Sequence, residues 1–312
     1  MLSIDTLVIT GSNGFVGQSL LEFINKLSSS GRPKRIVTIN RTDYSKIVLS
    51  SFPDLNIDYR VEDLRLPWQF DVPNAHLINL AADGSQNAYS EEASNLFTTI
   101  GLRMSEWIRK NRPLSLFHAS SGASFGVVPL ETMIDNSEHV KFFNRKDRFI
   151  ESRLKVERNL TSLAEVENIK IVIGRLFSFV GPNILKKDQY AISSFVHDAV
   201  KKGKISVNGN PNTVRSYLHE NDMSSWILKS LLLNEQVSRL SIGSSIKVQI
   251  SDLAEFIAQL TNADLEYLNP KAPGDIYVAD NTSTLERLKV TESKNWQDAV
   301  VECVQIAKES KN

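Results

Sequence analysis

Near the start of the chain an unbroken apolar run, Leu7-Val8-Ile9, gives way to apolar residues at Phe15, Val16, Leu20, Leu21 and Ile24. The first spacing predicts a buried strand and the second an amphipathic helix, with a tight turn between them. The two patterns then alternate. Arg35-Ile36-Val37-Thr38-Ile39 predicts a second strand, and Ile57-Asp58-Tyr59-Arg60-Val61 alternates as a third. Ala75-His76-Leu77-Ile78-Asn79-Leu80 predicts a strand buried on both faces. Residues 91–110 predict a long helix whose stripe of Leu96, Ile100, Met104 and Ile108 serves as core or as a surface for a second copy. A strand at Leu114-Ser115-Leu116-Phe117-His118, a helix over 147–163 and a strand at Ile169-Lys170-Ile171-Val172-Ile173-Gly174 follow. Beyond them, 190–202 is amphipathic, Arg239-Leu240-Ser241-Ile242-Gly243 predicts a strand that returns to the large sheet, and 248–260 and 296–308 predict helices. Strands that alternate with helices in this way point to an α/β chain with a parallel sheet.

Composition narrows what the chain does. With 312 residues it is long enough for one large or two smaller domains. Lys+Arg and Asp+Glu are both 36, and no basic tract occurs, which argues against nucleic acid as a partner. The single cysteine, Cys303, excludes an internal disulfide framework and reads as a buried structural thiol. No apolar run approaches membrane-spanning length, and the N-terminus passes straight into the first strand, so a cytoplasmic protein without a signal peptide is expected.

The turn between the first strand and helix carries the chemistry. It reads Thr10-Gly11-Ser12-Asn13-Gly14-Phe15-Val16-Gly17. Gly11 permits the turn, Gly14 lets backbone N–H groups approach a pyrophosphate at the helix N-terminus, and Gly17 allows close helix–sheet packing. Three glycines alone would equally mark a structural turn; the strand before and the helix after favour a dinucleotide. At the end of the second strand an acid would hydrogen-bond the adenosine ribose and select NAD, whereas a base would receive the 2′-phosphate of NADP. Here Asn40-Arg41-Thr42 stands there, which leans towards NADP if Arg41 faces a phosphate rather than solvent; Asp43 pulls the other way.

The Gly-x-x-Gly-x-x-Gly spacing after Thr10 resembles the opening of the short-chain dehydrogenase/reductase superfamily, in its extended, NAD-dependent epimerase/dehydratase branch. Motifs in the family's order continue over about residues 6–243. The resemblance implies a Rossmann-type doubly wound parallel sheet with a smaller C-terminal α/β substrate lobe over the cofactor's nicotinamide end. The domains would be 1–178 plus about 217–247 for the dinucleotide and 179–216 plus about 248–312 for the substrate. It implies an NAD(P) cofactor held by Gly11, Asn13, Gly14, Phe15, Val16, Gly17, Asn40, Arg41, the Asp63-Leu64 pair beside the adenine, and Leu80 with the small Ala81-Ala82 pair. It implies a nucleotide-sugar substrate, and a homodimer formed through helices 91–110 and 147–163. Asn95 falls where the family ties its central helix to the neighbouring strand.

Departures from the family pattern bear on the reaction. Ala119-Ser120-Ser121-Gly122-Ala123-Ser124-Phe125-Gly126 resembles the family's Ser-Ser-x-x-x-Tyr-Gly segment and assigns the substrate-binding hydroxyl to Ser121. Gly122-Ala123 replace the Asp-Glu pair of the dehydratases, which removes the acid and base needed to expel water. Phe149-Ile150-Glu151-Ser152-Arg153-Leu154-Lys155-Val156-Glu157 resembles Tyr-x-x-Ser-Lys-x-x-x-Glu, with Ser152 and Glu157 fixing the register. Phe149 thus occupies the place of the proton-exchanging tyrosine and Arg153 that of the lysine, where it could still hold the nicotinamide ribose. Glu151 is a candidate substitute base, but it lies about 200 degrees around the helix from Phe149. His118 and water are the other candidates. In Arg175-Leu176-Phe177-Ser178-Phe179-Val180-Gly181-Pro182 the family's substrate-contacting asparagine is replaced by Ser178, and Arg215 falls where the family binds a diphosphate. Two functions follow: an epimerase or reductase of nucleotide sugars with an altered proton route, or a non-catalytic binding protein that acts as sensor or partner of an active relative.

Overall fold

The computed structural model describes residues 4–82, 89–125, 128–129 and 147–310. The strands are β1 (Thr6–Thr10), β2 (Arg35–Asn40), β3 (Ile57–Val61), β4 (His76–Asn79), β5 (Ser115–Ser121), β6 (Val128–Pro129), β7 (Lys170–Leu176), β8 (Phe179–Val180), β9 (Lys204–Val207), β10 (Val214–Arg215), β11 (Leu218–His219), β12 (Val237–Ile242), β13 (Val248–Gln249), β14 (Asp264–Tyr267) and β15 (Asp275–Tyr277). The α-helices are α1 (Phe15–Lys26), α2 (Ser45–Ser51), α3 (Glu91–Asn111), α4 (Asp147–Glu167), α5 (Ala191–Lys202), α6 (Glu220–Ser230), α7 (Ile250–Thr261), α8 (Thr282–Leu288) and α9 (Trp296–Glu309).

The chain divides into two compact units. The first draws on Met1–Ser124, Asn144–Arg175 and Ser224–Leu240, and the second on Phe125–Phe143, Leu176–Met223 and Ser241–Asn312. A seven-stranded parallel sheet runs in the order β12-β7-β5-β4-β1-β2-β3. Leu7 to Thr10 of β1 register against Ile36 to Ile39 of β2 on one side and His76 to Asn79 of β4 on the other. The strand order therefore reverses between β1 and β4. In a doubly wound sheet the crevice beyond the strand ends at this switch point is where ligands bind.

The helices of the first unit form where sequence and sheet agree. Ser90 caps α3 by accepting the Ala93 N–H at 3.1 Å, with Glu91 and Glu92 in the first turn and Arg109 and Lys110 in the last, matching the helix dipole. Gly101 lets α3 lie against α4, since a Cβ there would come within 2.7 Å of the Val156 Cγ2. Beneath them Trp68, Phe70 and Trp107 pack with ring centroids 5.0–6.0 Å apart, joined by Leu77, Met104, Leu116 and Leu160 in one core.

The second unit holds a small sheet in the order β13-β10-β15-β6 and the pairs β11-β8 and β14-β9. Helix α5 packs on α7, α9 and β9. Residues Val248 and Gln249, expected to begin a helix, form β13 instead. They pair antiparallel with Arg215 and Val214, and the helix starts after them in a capping box between Gln249 and Asp252. Helices α2, α6 and α8 had no counterpart in the apolar pattern. Cys303 is fully buried and burial pushes its thiol pKa up to about 12, which suits an inert core thiol. Among the described residues no helix is long and apolar enough to cross a membrane.

Candidate functional site

The turn after β1 sits at the switch point and its glycines do different work. Gly11 has φ +72°, in the left-handed region, and its N–H donates to Ile39 O at 2.9 Å. A Cβ on Gly17 would lie 2.4 Å from the Ser12 Cα and 2.6 Å from its carbonyl oxygen, so the helix can approach the turn only without a side chain there. Gly14, the residue before α1, has ordinary extended geometry, and a Cβ there would meet only the Gly11 carbonyl, at 3.3 Å. No acid lies in the first turn of α1 and no side chain caps it, which leaves the N-terminal end over Phe15, Val16 and Gly17 suited to an anion. This arrangement fits the pyrophosphate of a dinucleotide.

The turn is braced from β2 and β3. Both ends of the Asn40 carboxamide are engaged: Nδ2 donates to Ser12 Oγ at 2.8 Å, and Oδ1 accepts the Asn13 N–H at 3.0 Å. Asn40 is accordingly buried and holds the turn rather than presenting its side chain outward. The Asn13 side chain reaches the Tyr59 hydroxyl at 2.9 Å, and that hydroxyl donates to Thr42 O at 2.8 Å. Tyr59 was missed by sequence reasoning, because its hydroxyl meets Asn13 only through the parallel pairing of β2 and β3. Arg41 is exposed. Asp63 accepts Arg65 Nε at 2.8 Å, and this hydrogen bond above all, with Arg41 adding a smaller charge effect, holds its carboxyl below the usual range. The Leu64 side chain is in the core. Leu80 and Ala81 are half-buried, their backbone against Gly11, and Ala82 is exposed.

Across the ends of β1, β4 and β5 runs a buried polar row. Thr10 Oγ1 donates to Asn79 Oδ1 at 2.6 Å, and Asn79 Nδ2 is 3.0 Å from His118 Nδ1. His118 is 1% exposed, and burial drives its pKa down to about 4, with nearby Glu157 opposing the shift and Arg153 reinforcing it. It is neutral at neutral pH, and its Nε2 has no hydrogen-bond partner among the described residues. Further along, Ser120 Oγ donates to Glu157 Oε1 at 2.5 Å, while Arg175 Nη2 lies 2.7 Å from Glu157 Oε2. Burial works to raise the Glu157 pKa, yet the arginine and the hydroxyl outweigh it and the carboxyl stays below its usual range. The Ser121 oxygen accepts the Ala123 N–H at 3.2 Å, which orients the hydroxyl. Gly126, which set the register for Ser121, lies outside the described residues.

On α4 the Phe149 and Arg153 side chains are both buried. The guanidinium carbon of Arg153 lies 3.5 Å from the Phe149 ring centroid and 4.1 Å from that of Phe97, in a sandwich between two phenyl rings. Its Nη1 donates to Ser152 Oγ at 2.9 Å, and among the described residues no carboxylate pairs with it. Burial lowers its pKa to about 10, opposed by charge interaction with Tyr89. The group therefore stays protonated. Tyr89, which sequence reasoning missed, packs its ring on Phe149 with centroids 4.9 Å apart. Glu151 and Lys155 are exposed on the opposite side of the helix from these rings, as the 200-degree displacement required.

In the second unit Arg215 does not stand alone. Its Nη2 is 2.7 Å from Asp275 Oδ1, and its Nη1 donates to Val214 O at 2.8 Å. Asp275 is brought there by the parallel register of β10 with β15, a pairing sixty residues away in sequence that local patterns do not reveal. Ser178 is half-buried, and its carbonyl accepts the Leu218 N–H.

The model of the NAD dependent epimerase/dehydratase family matches residues 7–243. Among curated proteins the chain is 21% identical over 259 residues to UDP-glucuronic acid decarboxylase 1 of Xenopus tropicalis, covering 82% of this chain and 60% of that protein. It thus spans about three fifths of the length of that relative. Among solved structures it is similar to a UDP-glucose 4-epimerase of Thermotoga maritima with UDP-glucose, with TM-score 0.81, 16% identity and coverage of 98% and 100%. It is also similar to a tyrosine-to-phenylalanine mutant of a UDP-glucuronic acid 4-epimerase from Bacillus cereus, in complex with UDP-4-deoxy-4-fluoro-glucuronic acid and NAD. That likeness has TM-score 0.78, 17% identity and coverage of 98% and 99%.

Proposed function

The chain belongs to the NAD-dependent epimerase/dehydratase family, and we propose that it binds a nicotinamide dinucleotide together with a nucleotide sugar, with a proton route that does not pass through α4. The observation that carries this reading is the contrast between the two halves of the first unit's site. The glycine turn keeps the fit for a pyrophosphate, with Gly17 packed against Ser12. The place of the acid–base pair holds a phenyl ring and a guanidinium clamped on it. Phenylalanine has no proton to exchange, and loss of a positioned acid–base group costs about 10²–10⁴-fold in rate. Sugar 4,6-dehydration is disfavoured for the same kind of reason, since Gly122 and Ala123 offer neither acid nor base.

The residues assigned to the dinucleotide are Gly11, Asn13, Gly14, Phe15, Val16, Gly17, Arg41, Asp63, Ala81 and Ala82, with Arg153 towards the nicotinamide ribose. Asn40 contributes through the turn that it braces, and Leu64 and Leu80 through their backbone. When bound, the dinucleotide supplies an acceptor or donor of hydride. Exposed Arg41 supports NADP over NAD, because no acid stands at the end of β2. On the sugar side, Ser121 presents its hydroxyl to the sugar, and Ser178 and Arg215 are assigned to the nucleotide. Arg215 is already paired with Asp275, so it offers the diphosphate its remaining N–H groups rather than an uncompensated charge. A homodimer through α3 and α4 is part of the same reading, supported by Leu102 and Val166, apolar residues exposed on those helices. The non-catalytic alternative shares the binding assignments.

Mass spectrometry of small molecules released from natively purified protein tests the reading. A nicotinamide dinucleotide or a nucleoside-diphosphate sugar is expected. Retention of an unrelated ligand class would overturn it.

A further inference from the structure

The family's phenol is missing from α4, but a phenol stands against its replacement. Among the described residues Tyr89 is the tyrosine that packs on Phe149, with ring centroids 4.9 Å apart and planes tilted by 51°. Its neighbour Ser90 caps α3. The Arg153 guanidinium lies 3.5 Å from the centroid of the same Phe149 ring. Phenol, phenyl and guanidinium thus meet at one ring, with the aromatic hydroxyl on the segment before α3 and the cation on α4. Tyr89 is 55% exposed, so a ligand can reach it. The competing donors are worse placed: His118 is sealed in the core, and Glu151 and Lys155 lie on the exposed side of α4.

We propose that Tyr89 is the proton-transferring group of this protein, standing in for the phenol that Phe149 lacks, with Arg153, which packs on the same Phe149 ring, as the nearby cation. This rests on the dinucleotide and nucleotide-sugar reading above. In the reducing direction Tyr89 gives its phenolic proton to the carbonyl oxygen of a keto sugar while hydride from the reduced dinucleotide reaches the carbonyl carbon. The Tyr89 O–H bond breaks, and the C–H and O–H bonds of the alcohol form. The ketone gains two electrons and the dinucleotide is oxidised. The Arg153 charge, held on the same Phe149 ring, favours the phenolate left behind, which regains its proton from water. Oxidation of the sugar alcohol runs the same steps backwards. Arginine serves here where lysine serves in the family pattern because it stays charged while packed against the Phe97 and Phe149 rings.

The test uses the full chain with NAD or NADP and with UDP-glucose or UDP-glucuronic acid. Binding is measured by calorimetry, the exposure of Tyr89 by nitration with tetranitromethane and peptide mass spectrometry, and hydride transfer by the absorbance of the reduced nicotinamide. Tyr89 should be nitrated in the ligand-free protein and protected when both ligands are bound. Tyr89→Phe should leave dinucleotide affinity unchanged and lower hydride transfer by about 10²–10⁴-fold. Phe149→Tyr in that background should recover part of the rate, which shows that the variant is folded. If the ligands bind but Tyr89 stays equally reactive, or Tyr89→Phe keeps the wild-type rate, or the wild type transfers no hydride, the assignment to Tyr89 is overturned while the binding reading stands. If neither ligand binds, the binding reading itself fails.

Discussion

Replacement of Gly17 by alanine puts the packing of the phosphate turn to a quantitative test. The added methyl would be placed 2.4 Å from the Ser12 Cα, 2.6 Å from its carbonyl oxygen and 2.7 Å from its carbonyl carbon. Carbon atoms in good contact lie about 3.5–4.0 Å apart, so the clash exceeds about 1 Å. The atoms met are backbone, and Ser12 is itself held by Asn40, so no side chain can swing away. Helix α1 must retreat from the turn instead. Overpacking of this kind costs roughly 1–3 kcal/mol. Urea unfolding should show a lower midpoint with an unchanged m-value. The retreat also carries the Phe15 and Val16 amides away from the pyrophosphate, so calorimetry should show weakened dinucleotide binding. Gly14→Ala is the control, since its methyl meets only the Gly11 carbonyl, at 3.3 Å, and its backbone is extended. It should leave stability nearly unchanged. A Gly17→Ala protein with wild-type stability and wild-type dinucleotide affinity would refute the packing argument.

Two further expectations concern binding and pH. Arg215→Ala should weaken nucleotide-sugar binding by roughly 1.5–3 kcal/mol, the range for hydrogen bonds to a charged group, measured by calorimetry against Asp275→Asn; equal affinity in wild type and Arg215→Ala would make the arginine purely a partner of Asp275. Burial lowers the folded-state pKa of His118 from 6.5 to about 4, so below pH 6.5 the unfolded chain binds the proton that the folded one refuses. Stability from this group is complete above about pH 6.5 and lost as pH falls towards 4, by about 3 kcal/mol in all. Denaturant titrations across that window should flatten in His118→Phe, and an unchanged slope would contradict the burial argument.

What was legible in the sequence was local. The turn around Gly11 and Gly17 and the seven strands of the large sheet rest on spacing within a few residues, whereas the register of α4 came from the family resemblance through Ser152 and Glu157. Phe149 and Arg153 could be placed in their helix because of that register, and Glu151 could be turned away from it. What was not legible depends on pairings that join distant segments. Tyr59 reaches Asn13, and Asp275 reaches Arg215, only once strands have paired. Tyr89, just before α3, meets Phe149 of α4, and those two helices pack at Gly101. Val248 and Gln249 carry a pattern that suits a helix, but pairing with β10 draws them into a strand. Asn40 looked like a ribose contact because it ends β2, whereas its carboxamide is spent on Ser12 and Asn13.

The most direct measurement is a calorimetric titration of the wild-type protein with NAD and with NADP, each alone and then with UDP-glucose or UDP-glucuronic acid added. Saturable binding of a dinucleotide, tighter for NADP, followed by saturable binding of a UDP-sugar, is the predicted result. Binding of NAD in preference would contradict only the role given to Arg41. Absence of heat with either dinucleotide would contradict the central claim, because the fit of the Gly11–Gly17 turn to a pyrophosphate would then be a matter of fold and not of function.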